Sequence, residues 1–260
     1  MKRKGLILLF SFVLSFSALS RPIYVAHRGA NREADENTLK AYQIAIEKYK
    51  MDYIECDPRL TKDGIFIIMH DPTVNRTTNG KGKVKNLTLT EIKSLQTKNG
   101  ELIPTLKQVL AYAKKHNAGV YLDTKEKSIS ALQKMVELVK EYQMEDKVIF
   151  GLWHLNQLKW LENNYPELVS CISFPFPALT LEQAKRYGAD WVGTLIPLAT
   201  KFLIKRAHRL KLKVITMPIN DIEIMKKKYQ LGIDAIQTDD PGLISRFKSE
   251  LEEAAFSKTR

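Results

Sequence analysis

Strand-like and helix-like segments alternate along almost the whole chain, and this alternation limits the fold more than any other feature. Eight short apolar runs with β propensity are separated by segments whose apolar residues recur at helical spacing. The predicted strands are 23–26, 53–57, 119–123, 147–151, 169–173, 190–194, 212–216 and 234–237. Eight βα units in about 240 residues predict an α/β protein with the (β/α)8 fold, a TIM barrel.

A ninth apolar run, residues 66–69, is predicted to pair antiparallel with strand 53–57 and to stay outside the barrel. Only a turn separates the two runs, whereas a parallel crossover needs a dozen or more residues. Asp63-Gly64 favours a two-residue type I′ hairpin turn, and counting back from that turn pairs Asp57 with His70. This hairpin would hold a carboxylate and a histidine about 5 Å apart.

Residues 72–104 are polar and rich in Lys, Gly, Asn and Thr. We interpret them as a small insertion after the second strand, with one short helical piece near 90–95. The barrel domain that carries this insertion is predicted to span residues 21–260.

Chemically active side chains lie at the ends of the first three predicted strands. They are His27 and Arg28, then Glu55 and Asp57, then Asp123 and Lys125. Catalytic groups of such barrels lie at the carboxyl ends of the strands, so we expect these side chains to share one rim, with His70 beside them. Glu55 and Asp57 point the same way on a strand, and adjacent carboxylates repel each other unless a cation lies between them.

These motifs, taken together, resemble the glycerophosphodiester phosphodiesterase family from His27 to about Pro241. The matching parts are His27-Arg28-Gly29, Glu36-Asn37-Thr38, Glu55-x-Asp57, Thr61-Lys62-Asp63-Gly64, His70-Asp71, Arg76-Thr77-Thr78, Ile103-Pro104-Thr105-Leu106, Asp123-x-Lys125, and Gly232-Ile233-Asp234 leading to Thr238-Asp239. The resemblance implies a (β/α)8 barrel with a small insertion after the second strand, which agrees with the pattern above.

The resemblance also implies a role for each of the rim residues. His27 and His70 would be general acid and base, Glu55, Asp57 and Asp123 would hold one divalent cation, Ca2+ or Mg2+, Arg28 and Lys125 would bind phosphate oxygens, and Glu36 would support the site near the metal or His27. The implied reaction is hydrolysis of a glycerophosphodiester to glycerol 3-phosphate and an alcohol. Attack by water, or first by the neighbouring glycerol hydroxyl, would give these products.

Three positions depart from the family pattern. Asp35 stands where the family often has proline. Asp123 stands where the family usually has glutamate, and the shorter aspartate requires a shifted ion or a bridging water. Residues 216–220 lack the tryptophan that is often found near that strand end, which leaves the leaving-group pocket undefined.

Two other functions compete with this interpretation. Lysophospholipase D-like and sphingomyelinase D-like relatives also carry Asp-x-Lys at the third strand end, so a lipid phosphodiester such as a lysophospholipid is the alternative substrate. Apolar loops at 174–177, 194–197 and 217–219 would favour contact with an acyl chain. A barrel that binds ligands without catalysis is a third reading, and the intact histidines and carboxylates argue against it.

The first 20 residues have the pattern of a secretory signal peptide. Three basic residues precede an apolar run from Leu6 to Leu19, and Ala18-Leu19-Ser20 is a small-x-small cleavage site. The run is too short for a comfortable membrane span, so we expect a secreted or periplasmic protein, with a membrane anchor at residues 6–19 as the alternative. Once processed, the chain is expected to contact membranes at most at their surface.

The positive net charge favours anionic partners, which are phosphates, anionic lipid or nucleic acid. Removal of Lys2, Arg3 and Lys4 lowers the net charge from +12 to +9. No nucleic-acid-binding motif accompanies this excess, so we predict no nucleic-acid partner and interpret the charge as phosphate chemistry or a solvated surface. Cys56 and Cys171 both lie in apolar strand-like runs, and we expect them to be buried packing residues with no disulfide between them.

Overall fold

Eight parallel strands of the computed structural model, which describes residues 21–173 and 180–257, close into a barrel. They are β1 (Ile23–Ala26), β2 (Tyr53–Cys56), β5 (Gly119–Asp123), β6 (Val148–Leu152), β7 (Val169–Ser173), β8 (Trp191–Thr194), β9 (Lys213–Thr216) and β10 (Ala235–Thr238). Each strand pairs with its neighbours in the order β1-β10-β9-β8-β7-β6-β5-β2, and β2 returns to β1. The predicted (β/α)8 fold is confirmed, and every barrel strand lies within one residue of its predicted bounds.

Helices follow the strands on the outside of the barrel. They are α1 (Leu39–Gln43), which continues as a π-helical turn (Ile44–Lys48), α3 (Leu106–Lys115), α4 (Ile129–Glu141), α5 (Leu155–Asn164), α6 (Leu181–Arg186), α7 (Lys201–Arg209), α8 (Ile222–Gln230) and α9 (Pro241–Ser257), while the short α2 (Leu89–Lys93) belongs to the insertion. A capping box at Thr105 begins α3. The Thr105 hydroxyl accepts from the Gln108 N–H, and the Gln108 side-chain oxygen accepts from the Thr105 N–H. Side chains also cap α1, α2, α4, α6, α7 and α8, and these caps fix where those helices begin.

Two apolar layers hold the barrel together. Inside it, Val25, Tyr121, Ile149, Trp191 and Ile215 pack against one another. The larger layer lies between the strands and the helices and contains most of the buried aliphatic side chains. Both cysteines are buried and unpaired, as predicted. In the described ranges, no helix is both long enough and apolar enough to cross a bilayer.

The hairpin between β3 (Pro58–Leu60) and β4 (Phe66–Ile68) has a different register from the one predicted. Leu60 pairs with Phe66, and the loop between the strands has Gly64 at φ +76°. A type I′ turn requires positive φ at both central residues, but Asp63 does not have it. The Asp63 carboxylate instead accepts hydrogen bonds from the Thr61 hydroxyl at 2.6 Å and from the Leu89 N–H at 3.0 Å.

This shift of one residue changes the neighbour of Asp57. The Met69 N–H donates to the Asp57 carbonyl at 2.8 Å, so the predicted pairing of Asp57 with His70 is wrong. His70 follows the strand end, where Arg59 holds it: Nε and Nη2 of Arg59 donate to the His70 carbonyl at 2.9 and 2.5 Å. The side chains of the hairpin and the insertion, among them Ile67, Met69 and Ile92, form a small apolar core of their own.

Candidate active site

The turn after β1 brings both the backbone and the side chain of Arg28 to the end of the barrel where the carboxyl ends of the strands lie. Arg28 adopts a left-handed conformation, with φ 54°, and its N–H donates to Glu55 Oε2 at 2.7 Å. Gly29, at φ +82°, follows it and packs on α1, where a Cβ would lie 2.7 Å from the Ala41 Cβ. A left-handed turn this close to a helix requires glycine, and it directs the Arg28 N–H toward a carboxylate.

Three carboxylates meet at the ends of β2 and β5. Oxygens of Glu55, Asp57 and Asp123 lie within 4.8 Å of one another. Glu55 and Asp57 are 1% and 0% exposed, so water screens their charges little. Burial, followed by the charges of Asp57 and Asp123, raises the pKa of Glu55 well above its ordinary value.

Two cations partly balance this cluster. Lys125 Nζ lies 3.0 Å from Asp57 Oδ1 and also contacts Asp123, and Arg28 Nε lies 3.4 Å from Asp57 Oδ2. Burial opposes ionisation of Asp57, but Lys125 and Arg28 outweigh it and lower the pKa of this carboxyl. Asp57 Oδ1 is buried. Its ion pair with Lys125 lacks hydrogen-bond geometry, so this oxygen accepts no hydrogen bond.

His27 lies beside this cluster at the end of β1. Its Nε2 is 3.9 Å from Glu55 Oε2, and its Nδ1 is 2.6 Å from Asp239 Oδ1. Asn31 and Asn220 donate to the same Asp239 carboxylate at 2.7 and 2.5 Å. Burial opposes ionisation of Asp239, but these hydrogen bonds, first among them that of His27, lower its pKa strongly. The neighbouring Asp240 has a different role, since its Oδ1 accepts from the Gly242 N–H at the start of α9 at 3.0 Å.

His70 belongs to a second network of hydrogen-bonded charged side chains. Its Nδ1 lies 2.8 Å from Asp71 Oδ1, and Arg76 Nε donates to the other Asp71 oxygen at 2.7 Å. Arg76 also donates twice to Glu36, at 2.7 and 2.8 Å, and Glu36 accepts from Arg28 Nη1 at 3.1 Å. This network joins His70 to the carboxylate cluster through Glu36 and Arg28.

Two further side chains at the site were not predicted as functional residues. Asn37, at φ 61°, donates from Nδ2 to Asp57 Oδ2 at 2.8 Å and accepts from the buried Tyr42 hydroxyl at 2.8 Å. Trp153 is partly exposed, and its indole N–H donates to Asp123. Asn37 was visible in sequence as part of Glu36-Asn37-Thr38, but nothing local showed that its amide would reach Asp57.

Cavities open on two sides of the site. A cavity of about 190 Å³ includes His27, Tyr121, Trp153, Leu195 and Met217 in its lining. A cavity of about 380 Å³ lies at Arg28, Glu36 and Arg76 and is bordered by Arg32 and Lys98. The first is lined mainly by apolar side chains and the second mainly by charged ones. The apolar loop predicted at 174–177 lies outside the described residues.

Known proteins resemble this chain over most of its length. A sequence profile of the Glycerophosphoryl diester phosphodiesterase family matches residues 27–243. The glycerophosphodiester phosphodiesterase of Caldanaerobacter subterraneus subsp. tengcongensis is 30% identical over 238 residues, which cover 85% of this chain and 95% of that relative. The glycerophosphodiester phosphodiesterase of Bacillus subtilis (strain 168) is 32% identical over 259 residues, which cover 88% of this chain and 87% of that relative.

A solved structure extends the comparison to three dimensions. The phosphodiesterase of Oleispira antarctica, in complex with the product sn-glycerol-3-phosphate, superposes with a TM-score of 0.80 at 26% identity. The similarity covers 88% of this chain and 97% of that one.

Proposed function

Because the chain belongs to the glycerophosphoryl diester phosphodiesterase family, we propose that it hydrolyses glycerophosphodiesters to glycerol 3-phosphate and an alcohol, using one divalent cation and two histidines. It is a phosphodiesterase by its family and its relatives. The observation that carries the proposed mechanism is the group of three carboxylates with the His27 Nε2 at its edge. The product bound to the Oleispira antarctica relative supports the assignment of glycerol 3-phosphate.

The carboxylate cluster fits a hard divalent cation. Its donors are oxygens, which suit Ca2+ or Mg2+ better than Zn2+. Asp57 Oδ1 is buried without a hydrogen bond, so one lone pair is left for a ligand of another kind. Glu55, Asp57 and Asp123 would hold the ion, which when bound would offset negative charge on the phosphoryl oxygens.

Arg28 and Lys125 supply further positive charge where a phosphodiester would bind. Burial lowers the pKa of Lys125, but the neighbouring carboxylates raise it by more, and the net shift is upward. The ammonium is therefore charged at neutral pH. The guanidinium of Arg28 is fixed by Glu36 and Asp57 on two sides. Cations that are already oriented stabilise the more negative transition state without reorganisation.

The histidines can move the protons of the reaction. Asp239 and Asp71 each bind a Nδ1 atom, so Nε2 of His27 and of His70 is the nitrogen left for substrate. One ring takes a proton from the attacking oxygen as the new P–O bond forms. The other ring donates a proton to the alkoxide as the P–O bond to the alcohol breaks.

The test is a substrate assay with controlled metal. We expect turnover of glycerophosphocholine with Ca2+ or Mg2+, and loss of turnover when a chelator removes the ion. Full activity in excess EDTA would contradict the metal role. Release of choline phosphate in place of choline would contradict the assigned bond cleavage.

A second candidate substrate is a lysophospholipid, cleaved by lysophospholipase D or sphingomyelinase D-type chemistry. Leu195 and Met217 are 49% and 44% exposed at the edge of the 190 Å³ cavity, although both are large and apolar. An apolar rim next to a phosphate site favours contact with an acyl chain. Side-by-side kinetics on glycerophosphocholine and lysophosphatidylcholine decide it, and absence of turnover of the acylated substrate above and below its micelle concentration would exclude it.

We also propose that the protein is exported after removal of residues 1–20, which lie outside the described residues. The basic start, the apolar run and the Ala18-Leu19-Ser20 site support this proposal. Intact mass of the protein from its own host should place the mature N-terminus at or within a few residues of Arg21. A chain that keeps Met1 and fractionates with membranes would support an anchor instead.

A further inference from the structure

Two exposed cations border the charged cavity beside the candidate site. Arg32, in the loop after β1, and Lys98, in the insertion, both line this cavity of about 380 Å³. Neither forms an ion pair with any residue in the part of the chain that the structure describes. The cavity volume falls in the range of small-molecule sites, about 300–1,000 Å³.

The other charges of the cavity already have partners. Arg28 and Arg76 bind Glu36, and Arg76 also binds Asp71. Asp239 accepts hydrogen bonds from His27 and two asparagines. The lining has four cations and three carboxylates, the latter being Asp35, Glu36 and Asp239, so its net charge is positive. Arg32 and Lys98 are the cations of this lining that form no ion pair with the described residues.

Asp35 holds the loop that carries Lys98 against the site. Its two carboxylate oxygens accept from the backbone N–H and the side-chain amide of Asn99, both at 2.9 Å. The residue next to Lys98 is thus bound to the residue next to Glu36. A proline at position 35 could not make these bonds, so this departure from the family pattern fixes a cation beside the active site.

We propose that the charged cavity binds a second anionic group of the substrate, a phosphate or a carboxylate, through Arg32 and Lys98. The proposal rests on the proposed function, since it assumes that a glycerophosphodiester lies across the site. The glycerol 3-phosphate half of such a substrate has no ionisable group besides the scissile phosphate. A second negative charge must therefore belong to the alcohol half, and the enzyme prefers substrates whose alcohol is anionic.

Two matched substrate pairs test this preference and separate the two anions. Glycerophosphoglycerol phosphate differs from glycerophosphoglycerol by a terminal phosphate, and glycerophosphoserine differs from glycerophosphoethanolamine by a carboxylate. We expect the charged member of at least one pair to have the higher kcat/KM, mainly through a lower KM. Added salt should reduce this preference, because exposed cations are screened.

Variants then assign the preference to the cavity. Arg32→Gln and Lys98→Gln should each reduce the kcat/KM ratio within the preferred pair by roughly three- to tenfold, the range for loss of one charge-assisted contact at a partly exposed site. Arg209→Gln and Lys205→Gln, which remove exposed charges from α7, serve as matched controls and should leave the ratio unchanged.

The outcomes distinguish this inference from the function on which it rests. Equal kcat/KM within both pairs, or a preference that survives Arg32→Gln and Lys98→Gln, would overturn the anion site and leave the phosphodiesterase intact. Absence of turnover of all four substrates with Ca2+ or Mg2+ would overturn the proposed function, and the inference with it.

Discussion

At the scale of single residues, the two histidines have the same local arrangement although they come from distant parts of the chain. Each ring binds a carboxylate through Nδ1, His27 with Asp239 and His70 with Asp71. Such a partner fixes the ring orientation and leaves Nε2 facing the site. Both carboxylates are held in turn by other donors, so neither can rotate freely.

The histidine variants should separate catalytic residues from a positioning residue. We expect His27→Gln and His70→Gln each to lower kcat about 100-fold or more, as for loss of a general acid or base, with KM little changed. Asp239→Asn should lower kcat by about 10-fold or more with KM little changed, because His27 loses the carboxylate that orients its ring.

His208 provides the matched control for these variants. Its Nε2 lies 2.8 Å from Asp234 Oδ2, so it forms the same kind of pair away from both cavities. His208→Gln should leave kcat within twofold of the wild type. Steady-state kinetics with the fold verified by circular dichroism decide the matter, and wild-type turnover in a His27 or His70 variant would remove that residue from the mechanism.

Sequence patterns predicted the residue types of the site better than their pairings. The barrel fold brings the ends of its strands together independently of loop conformation. The site residues at or next to those ends are His27, Glu55, Asp57 and Asp123. The bond between His27 and Asp239 joins residues 212 positions apart, and no local pattern indicates it.

At the scale of elements, apolar runs predicted strand bounds closely because each run is buried against helices on one side. The hairpin register was predicted wrongly because Asp63-Gly64 admits more than one turn. Contacts of the Asp63 carboxylate with Thr61 and with Leu89 of the insertion decide between them. Those contacts depend on tertiary structure, which dipeptide preferences do not include.

The turn after β1 gives a stability prediction with a matched control. Gly29 and Gly100 have nearly the same φ, +82° and +83°. A Cβ added at Gly29 would lie 2.7 Å from the Ala41 Cβ, whereas a Cβ added at Gly100 would have no atom within 4 Å. Gly100→Ala should cost about 1 kcal/mol of unfolding free energy from backbone strain. Gly29→Ala should cost about 1–3 kcal/mol more because α1 must move. Urea unfolding measures both, and equal costs would show that α1 yields without penalty.

Glu162 of α5 should make stability depend on pH. Its carboxylate accepts from the Ser170 hydroxyl at 2.6 Å. Burial raises the pKa of Glu162 from 4.5 to about 7; the hydrogen bond from Ser170 opposes this shift and the charge of Asp190 adds to it. A raised carboxyl pKa means that the folded state binds more protons than the unfolded state between pH 4.5 and 7, so stability falls as pH rises through this window. The loss is complete above the folded pKa.

Glu162→Gln removes this titration and keeps an acceptor for Ser170. The variant should be more stable than the wild type above pH 8 by about 1 kcal/mol, reduced from the full shift because the carboxyl is only partly buried. Near pH 5 the difference should disappear or reverse. Exposed Glu137→Gln is the control, and parallel curves of melting temperature against pH for wild type and Glu162→Gln would contradict the assignment.

At the scale of the whole molecule, closing the barrel brings together three carboxylates whose charge the neighbouring protein cations only partly balance. Glu55, Asp57 and Asp123 lie together, while Arg28 and Lys125 are the cations in contact with them. Arg28 is also shared with Glu36. A site with unbalanced buried charge lowers folding stability, and a bound cation restores it.

Thermal unfolding should therefore report metal binding without any substrate. At a Ca2+ or Mg2+ concentration about 100 times Kd, binding to the folded state adds about 2.7 kcal/mol, which raises the melting temperature of a chain this size by roughly 5–10 °C relative to EDTA. Glu55→Gln removes one charge and keeps an acceptor for the Arg28 N–H. In EDTA it should melt higher than the wild type by about 2–4 °C, and with metal it should gain little. Glu137→Gln should keep the full metal-dependent gain. A wild-type melting temperature that is the same in EDTA, Ca2+ and Mg2+ would mean that the three carboxylates are balanced by protein cations alone.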